Sequence, residues 1–322
     1  MSSNNQQKQP TIEDILQTHQ KIKPYIHQTP IITCTSLNEL VGADLYFKCE
    51  NFQKGGSFKS RGAANAILSL NEDQKKNGVG THSSGNHGGA LARMAQIFQI
   101  PSYIIMPYDA PNSKKRSVQN YGGKIIECGA TIADREGTLE KTRKETGCEI
   151  VHPYNDYRVI KGQGTIALEI YQQIQKPLDF IITPVGGGGL LSGILIASKA
   201  ISPSTKVIAA EPFLARDAYL SLISGKVEPQ FPPKTIADGI RANLGDKTFE
   251  IIKSKCDGIL LVEEQEIVDA TNLIWQRMKI IVEPTSATVL AAIIKNKELF
   301  KGKRIALVLT GGNTDIEYKP KL

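Results

Sequence analysis

The sequence predicts an α/β protein with mostly parallel strands. Short apolar, β-rich runs alternate with helical periodicity along nearly the whole chain. Three strand-to-helix junctions are also dense in glycine and small polar residues, and in open α/β sheets ligands collect at such junctions. No internal repeat of fixed period competes with this reading.

In chain order, strands are expected over 44–49, 102–106, 124–127, 180–185, 206–210, 258–262 and 304–309. Helices are expected between them, over 60–69, 86–98, 132–145, 164–174, 190–200, 263–278 and 286–294. The first carries Ala63, Ala64, Ala66 and Ile67 on a helical apolar pattern. The glycine-rich junctions are Thr81-His82-Ser83-Ser84-Gly85-Asn86-His87-Gly88, Pro184-Val185-Gly186-Gly187-Gly188-Gly189-Leu190 and Leu309-Thr310-Gly311-Gly312-Asn313.

Composition narrows the class. A chain of 322 residues with 40% hydrophobic and 22% charged residues can build one large or two smaller hydrophobic cores. No apolar run approaches the roughly 20 residues that span a bilayer. Residues 1–10 are rich in Ser, Asn and Gln and read as a disordered tail, without the apolar centre of an export signal. The five cysteines, Cys34, Cys49, Cys128, Cys148 and Cys256, are scattered, with no C-x-x-C pair, and read as reduced thiols of a cytoplasmic protein. The net charge of +7 is dispersed; its densest run, Lys114-Lys115-Arg116, has no interleaved aromatics, so no nucleic-acid partner is expected.

Lys59 follows an aromatic and opens a helical pattern in Gly55-Gly56-Ser57-Phe58-Lys59-Ser60-Arg61-Gly62-Ala63. Partial burial there lowers a lysine's pKa and frees its lone pair, making Lys59 a candidate Schiff-base former. The tetraglycine Gly186–Gly189 follows a strand and opens a helix, so its N–H groups can converge on a phosphate. The Walker pattern is absent. The dinucleotide fingerprint fails as well, because the sixth position is Leu191 counted from Gly186 and Ser192 counted from Gly187. Ser83, Ser84, Asn86 and His87 precede another helix and together suit a carboxylate more than they suit a cap alone.

This constellation resembles the fold type II pyridoxal-phosphate enzymes, among them the serine racemases and serine/threonine dehydratases. The resemblance runs from about Ile12 to Asp315. It rests on Ser57-Phe58-Lys59-x-Arg61-Gly62-Ala63, Ser83-Ser84-Gly85-Asn86-His87, Gly162-Gln163-Gly164-Thr165, the tetraglycine, Thr235-Ile236-Ala237-Asp238-Gly239 and Glu283-Pro284-Thr285. It implies two open, twisted, mostly parallel α/β domains with the active site between them: a large one from 11–77 and 156–322, and a small one from 78–155.

By resemblance Lys59 is the Schiff-base lysine, Phe58 lines the pyridoxal-phosphate ring, and Asn86 bonds its 3′-oxygen. Gly186, Gly187, Gly188 and Gly189 hold the phosphate, and Thr310 faces the pyridine nitrogen where relatives usually carry serine. Ser83, Ser84, Asn86 and His87 receive the substrate carboxylate, and Arg135 approaches the substrate on closure. Racemisation needs an acid–base group on each face of Cα; Lys59 serves one, and Ser84 matches the racemase-type group on the other. The activity implied is interconversion of L- and D-serine with elimination to pyruvate and ammonia. The alternative is a dehydratase acting on L-threonine, L-serine or threo-3-hydroxyaspartate without racemisation. A binding protein on the same fold that has lost catalysis is the reading from another class, and intact Lys59 and Ser84 speak against it.

The resemblance also implies a divalent-cation site for Mg²⁺ (or Ca²⁺ or Mn²⁺) at Glu211, the Ala215 carbonyl and Asp217. It further implies an interfacial ATP site at Lys54, Lys114, Tyr121, Lys279 and Asn313, in a homodimer. Ala242 and Gly89 depart from the pattern: racemase-type relatives can carry serine at the first position and often carry glutamine at the second.

Overall fold

The computed structural model describes residues 8–83, 85–110, 112–229 and 234–315. Ser84 and the first seven residues of the expected tail lie outside the described residues.

Ten strands form two sheets among the described residues: β1 (Ile31–Ile32), β2 (Asp44–Cys49), β3 (Val79–Thr81), β4 (Ser102–Pro107), β5 (Lys124–Cys128), β6 (Glu149–Ile150), β7 (Phe180–Pro184), β8 (Lys206–Pro212), β9 (Ile259–Val262) and β10 (Arg304–Leu309). The larger sheet runs β1-β2-β10-β7-β8-β9 and the smaller β5-β4-β3-β6. Every pairing is parallel except β1 with β2. Parallel strands are buried on both faces, which is why β7 and β10 read as unbroken apolar runs. Leu45, Phe47, Leu307 and Leu309 face one core with helix Pro284–Lys295, while Ala306 and Val308 face another with helices Tyr157–Gln173 and Gly189–Ile201. The smaller sheet packs on helix Asn86–Ile97, and that core also takes in Ala63, Ala64 and Ile67 of helix Lys59–Leu68.

The seven expected strands are present with ends shifted by at most two residues. The short β1, β3 and β6 offer too little apolar length to be read from sequence. Helix Tyr157–Gln173 starts seven residues before the expected 164, with Asp156 accepting from the Arg158 N–H at its start. Gly162 and Gly164 masked that first half. Both lie at close helix crossings: a Cβ on Gly162 would strike the Arg61 carbonyl, and one on Gly164 the Gly193 carbonyl. The helix expected over 263–278 is α-helical only across Glu264–Leu273. It then widens into a π-turn over Ile274–Met278, closed by Lys279 at φ 59°. The wider turn accompanies a hydrogen bond from Trp275 Nε1 to the Val282 carbonyl at 3.0 Å.

Candidate active site

Lys59 is the first residue of helix Lys59–Leu68. Gly55 and Gly56, both at positive φ, turn the chain sharply before it. Ser57 then bridges Gly311, and the Phe58 N–H donates to the Thr310 carbonyl at 3.0 Å, which ties the lysine turn to the end of β10. The residue is half-buried by its own surface, yet its amine lies deep. Nζ donates to the Pro153 carbonyl at 2.8 Å and stands 5.0 Å from the Phe58 ring centre. Burial pushes its pKa down to about 8, against an opposing pull from the Glu283 carboxylate.

Glu283 stands at the N-cap position of helix Pro284–Lys295, makes no side-chain capping bond, and is almost wholly buried. Asn86 Nδ2 donates to both its oxygens at 3.1 Å, and Asn313 Nδ2 donates to Asn86 Oδ1 at 2.9 Å. Burial raises the Glu283 carboxyl to about 7 despite the Asn86 bonds. The sequence reading gave this residue no role. Its signal was present, since it opens Glu283-Pro284-Thr285, but nothing local announces the partnership with residue 86.

The tetraglycine leaves β7 and enters helix Gly189–Ile201. Gly188 has φ +84°, a Cβ on Gly187 would run into the Tyr154 ring, and one on Gly186 would come within 3.0 Å of Ile240 Cα, so that neighbour would have to give. The Thr248 hydroxyl donates to the Gly187 carbonyl at 2.9 Å and holds the loop from behind. Thr310 is buried at the end of β10, its hydroxyl 3.0 Å from Ser286 Oγ, and Ser286 also bonds both backbone groups of Gly311. Ser286 is a second residue the sequence reading missed.

Three histidines surround the lysine turn. His87 Nε2 donates to the Val151 carbonyl at 3.2 Å, while its Nδ1 has no partner among the described residues. His82 and His152 meet edge to face at 5.3 Å, as do His152 and Tyr154 at 4.5 Å. Burial lowers all three: His152 falls to about 3, and His87 falls well below its ordinary value with Lys59 adding to the effect. These imidazoles are therefore neutral at pH 7. Ser83 accepts weakly from the Gly85 N–H at 3.4 Å. Arg135 lies in the first turn of helix Ile132–Thr146, with Nη2 on the Ala130 carbonyl and Nε lacking a partner among the described residues.

The accessory positions divide. Glu211, the penultimate residue of β8, caps helix Asp217–Ser224, accepting from the Ala218 and Tyr219 N–H groups at 2.9 Å. Glu211 and Asp217 are both buried, and burial first, then the Asp217 charge, raise the Glu211 carboxyl well above its usual range. No group of three His, Cys, Asp or Glu side chains suited to a metal occurs among the described residues. Asn313 also bonds the Gly55 carbonyl, next to Lys54. Lys114, in helix Asn112–Asn120, pairs with Asp238, Tyr121 follows that helix, and Lys279 sits in the turn after the π-helix.

The residues present fit pyridoxal phosphate. A glycine loop packed too closely for side chains opens a helix N-terminus, and the Lys59 amine, of lowered basicity, is held at the Pro153 carbonyl, whose neighbour Tyr154 packs on that loop. The sequence pattern described as pyridoxal-phosphate dependent enzyme matches residues 22–311, and the chain belongs to that family. A serine racemase of Dictyostelium discoideum is 48% identical, over 97% of each chain. A beta-hydroxyaspartate dehydratase of Paracoccus denitrificans is also 48% identical, over 97% of this chain and 98% of that one. The solved Dictyostelium serine racemase superposes with a TM-score of 0.91, covering 95% of this chain and 99% of that one at 48% identity. The solved serine racemase of maize reaches 0.93 at 42% identity, covering 96% of this chain and 95% of that one.

Proposed function

We propose that this protein is a serine racemase that also eliminates water from serine to give pyruvate and ammonia. The observation that carries the reading is the deep-lying Lys59 amine, of lowered basicity and held at the Pro153 carbonyl beside the glycine loop. Near-full-length likeness to a serine racemase supports the substrate.

Pyridoxal phosphate, when bound, supplies an aldehyde that holds amines and a conjugated ring that draws off the electron pair left when Cα loses its proton. The chain's own residues do the rest. Lys59 holds the cofactor and moves the Cα proton on one face, and the Ser84 hydroxyl exchanges it on the other. Ser83, Asn86 and His87 bind the substrate carboxylate, His87 through its backbone N–H at the helix start, because the one ring N–H of its neutral imidazole goes to the Val151 carbonyl. Gly186, Gly187, Gly188 and Gly189 hold the phosphate through backbone N–H groups and the helix N-terminus. Phe58 lines the ring. Thr310, backed by Ser286, offers the ring nitrogen a hydroxyl and not a carboxylate, which leaves that nitrogen less protonated. Arg135 closes over the substrate from residues 78–155, read as the smaller domain.

Glu211, the Ala215 carbonyl and Asp217 are read as a site for Mg²⁺, which keeps several waters, or for Ca²⁺ or Mn²⁺. Two buried carboxylates, close enough that the Asp217 charge raises the Glu211 pKa, support a cation there. Lys54, Lys114, Tyr121, Lys279 and Asn313 are read as an ATP site in a cytoplasmic homodimer. The likeness to beta-hydroxyaspartate dehydratase supports the second reading, a dehydratase without racemisation. Purified holoenzyme incubated separately with each enantiomer of serine, with L-threonine and with threo-3-hydroxyaspartate, assayed for keto acid and for chirality, tests the proposal. Turnover of serine to both its enantiomer and pyruvate is expected. Keto acid from 3-hydroxyaspartate with no inversion of serine overturns it.

A further inference from the structure

Four charged side chains lie with essentially no solvent contact just behind Lys59. Arg61 grips Glu50 through Nε and Nη2, both at 2.8 Å, and Glu169 through Nη1 at 2.7 Å and Nη2 at 2.8 Å. Its remaining N–H meets Thr165 Oγ1 at 3.2 Å. Lys48 Nζ spends its three donors on Glu169 at 2.6 Å, Gln173 at 2.8 Å and the Thr29 carbonyl at 2.7 Å. The Thr29 hydroxyl completes Glu50 at 2.5 Å. Two cations and two anions thus cancel, with every donor of Arg61 and Lys48 used. Burial pulls the Lys48 amine below its ordinary value, while Glu169 is held below its own by Arg61 and Lys48 against burial. Three acceptors around Nζ favour the charged amine.

Taking four charges out of water is costly, and apolar side chains of similar volume often serve stability as well. Stability alone is therefore a poor account of the quartet; its placement suggests a better one. Glu50 and Arg61 are the two ends of the segment that carries Lys59, so their fork closes that segment at its base. Glu169 ties the closure to helix Tyr157–Gln173. The chain just before that helix supplies the Pro153 carbonyl that receives the Lys59 amine. Gly62 and Gly162 set the distance between the two helices, and the ion forks fix their rotation and register.

We propose that Glu50, Arg61, Glu169 and Lys48 are positioning residues for Lys59, fixing where its amine stands against Pro153 and the glycine loop and so how fast it captures pyridoxal phosphate. The inference rests on Lys59 being the lysine that holds the cofactor. Arg61→Lys keeps the charge but loses the planar fork. The test mixes resolved apo-protein with pyridoxal phosphate and follows the visible absorbance of capture against pH, at temperatures well below the measured Tm of each variant. Expected is a capture rate lower by about tenfold or more, with a shifted pH midpoint, in folded Arg61→Lys. A purely structural role moves Tm alone, so capture within about threefold of wild type at an unmoved midpoint overturns the proposal. Should Arg61→Lys not fold, the isosteric Glu169→Gln decides on the same criteria. Lys59→Ala separates the two readings. If it still develops the wild-type absorbance, the assignment of Lys59 fails; if it does not, any failure belongs to the quartet alone.

Discussion

Asn86 and Glu283 join the two sheets at the site: the first residue of helix Asn86–Ile97 donates to both carboxylate oxygens of the residue at the N-cap position of helix Pro284–Lys295. The carboxylate they fix is the charge that counters the desolvation of the Lys59 amine. The relationship makes the basicity of Lys59 adjustable from residue 283.

The apo-protein should therefore capture pyridoxal phosphate faster as pH rises through about 8, where the Lys59 amine becomes free. Glu283 favours the ammonium form, so Glu283→Gln should move the midpoint to lower pH. Stopped-flow absorbance across the pH range around that midpoint checks both its wild-type position and the sign of the shift.

Glu283 also gives stability a pH signature. Its folded pKa of about 7 lies above the ordinary carboxyl value of 4.5, so between those values the folded state holds the extra proton. Its contribution is fully present below the lower value and is lost as pH rises through about 7, on the order of 3 kcal/mol in all. Denaturant unfolding of apo-protein at about pH 5 and about pH 8 should show a smaller loss for Glu283→Gln than for wild type.

Gly187→Ala should cost cofactor affinity more than it costs the fold. Its Cβ runs into the Tyr154 ring, which meets His152 edge to face, so the strain falls on the glycine loop itself. A destabilisation of about 1–3 kcal/mol is expected, with the Kd for pyridoxal phosphate raised at least about tenfold. Absorbance titration and thermal unfolding of one preparation separate the two effects.

At the paired carboxylates, a bound divalent cation should lift Tm, and chelation should lower it. Glu211→Gln should abolish the response, because the variant keeps its size while losing the charge a cation requires. An unaltered Tm with no ion found by elemental analysis rejects the site.

The glycine-rich junctions and the Lys59 turn were legible as structure because each is local: consecutive residues make the loop after β7 and the turn that opens helix Lys59–Leu68. The strands β7 and β10 were legible for the same reason, since burial on both faces leaves an unbroken apolar run. Glu283, Ser286, His152 and Tyr154 were not. Each acts through a partner distant in sequence, as Ser286 does on Thr310 and Tyr154 on Gly187. Helix Tyr157–Gln173 lost its first half to glycines whose purpose is a close crossing with another helix, a fact that exists only in the folded chain.

The most direct measurement follows L-serine in deuterium oxide with wild type and Ser84→Ala, quantifying D-serine, its Cα deuterium and pyruvate. The account predicts that wild type forms D-serine labelled at Cα together with pyruvate. It predicts that Ser84→Ala loses D-serine by about a hundredfold or more while pyruvate formation largely remains. Pyruvate alone from wild type, or equal loss of both products in the variant, would contradict it.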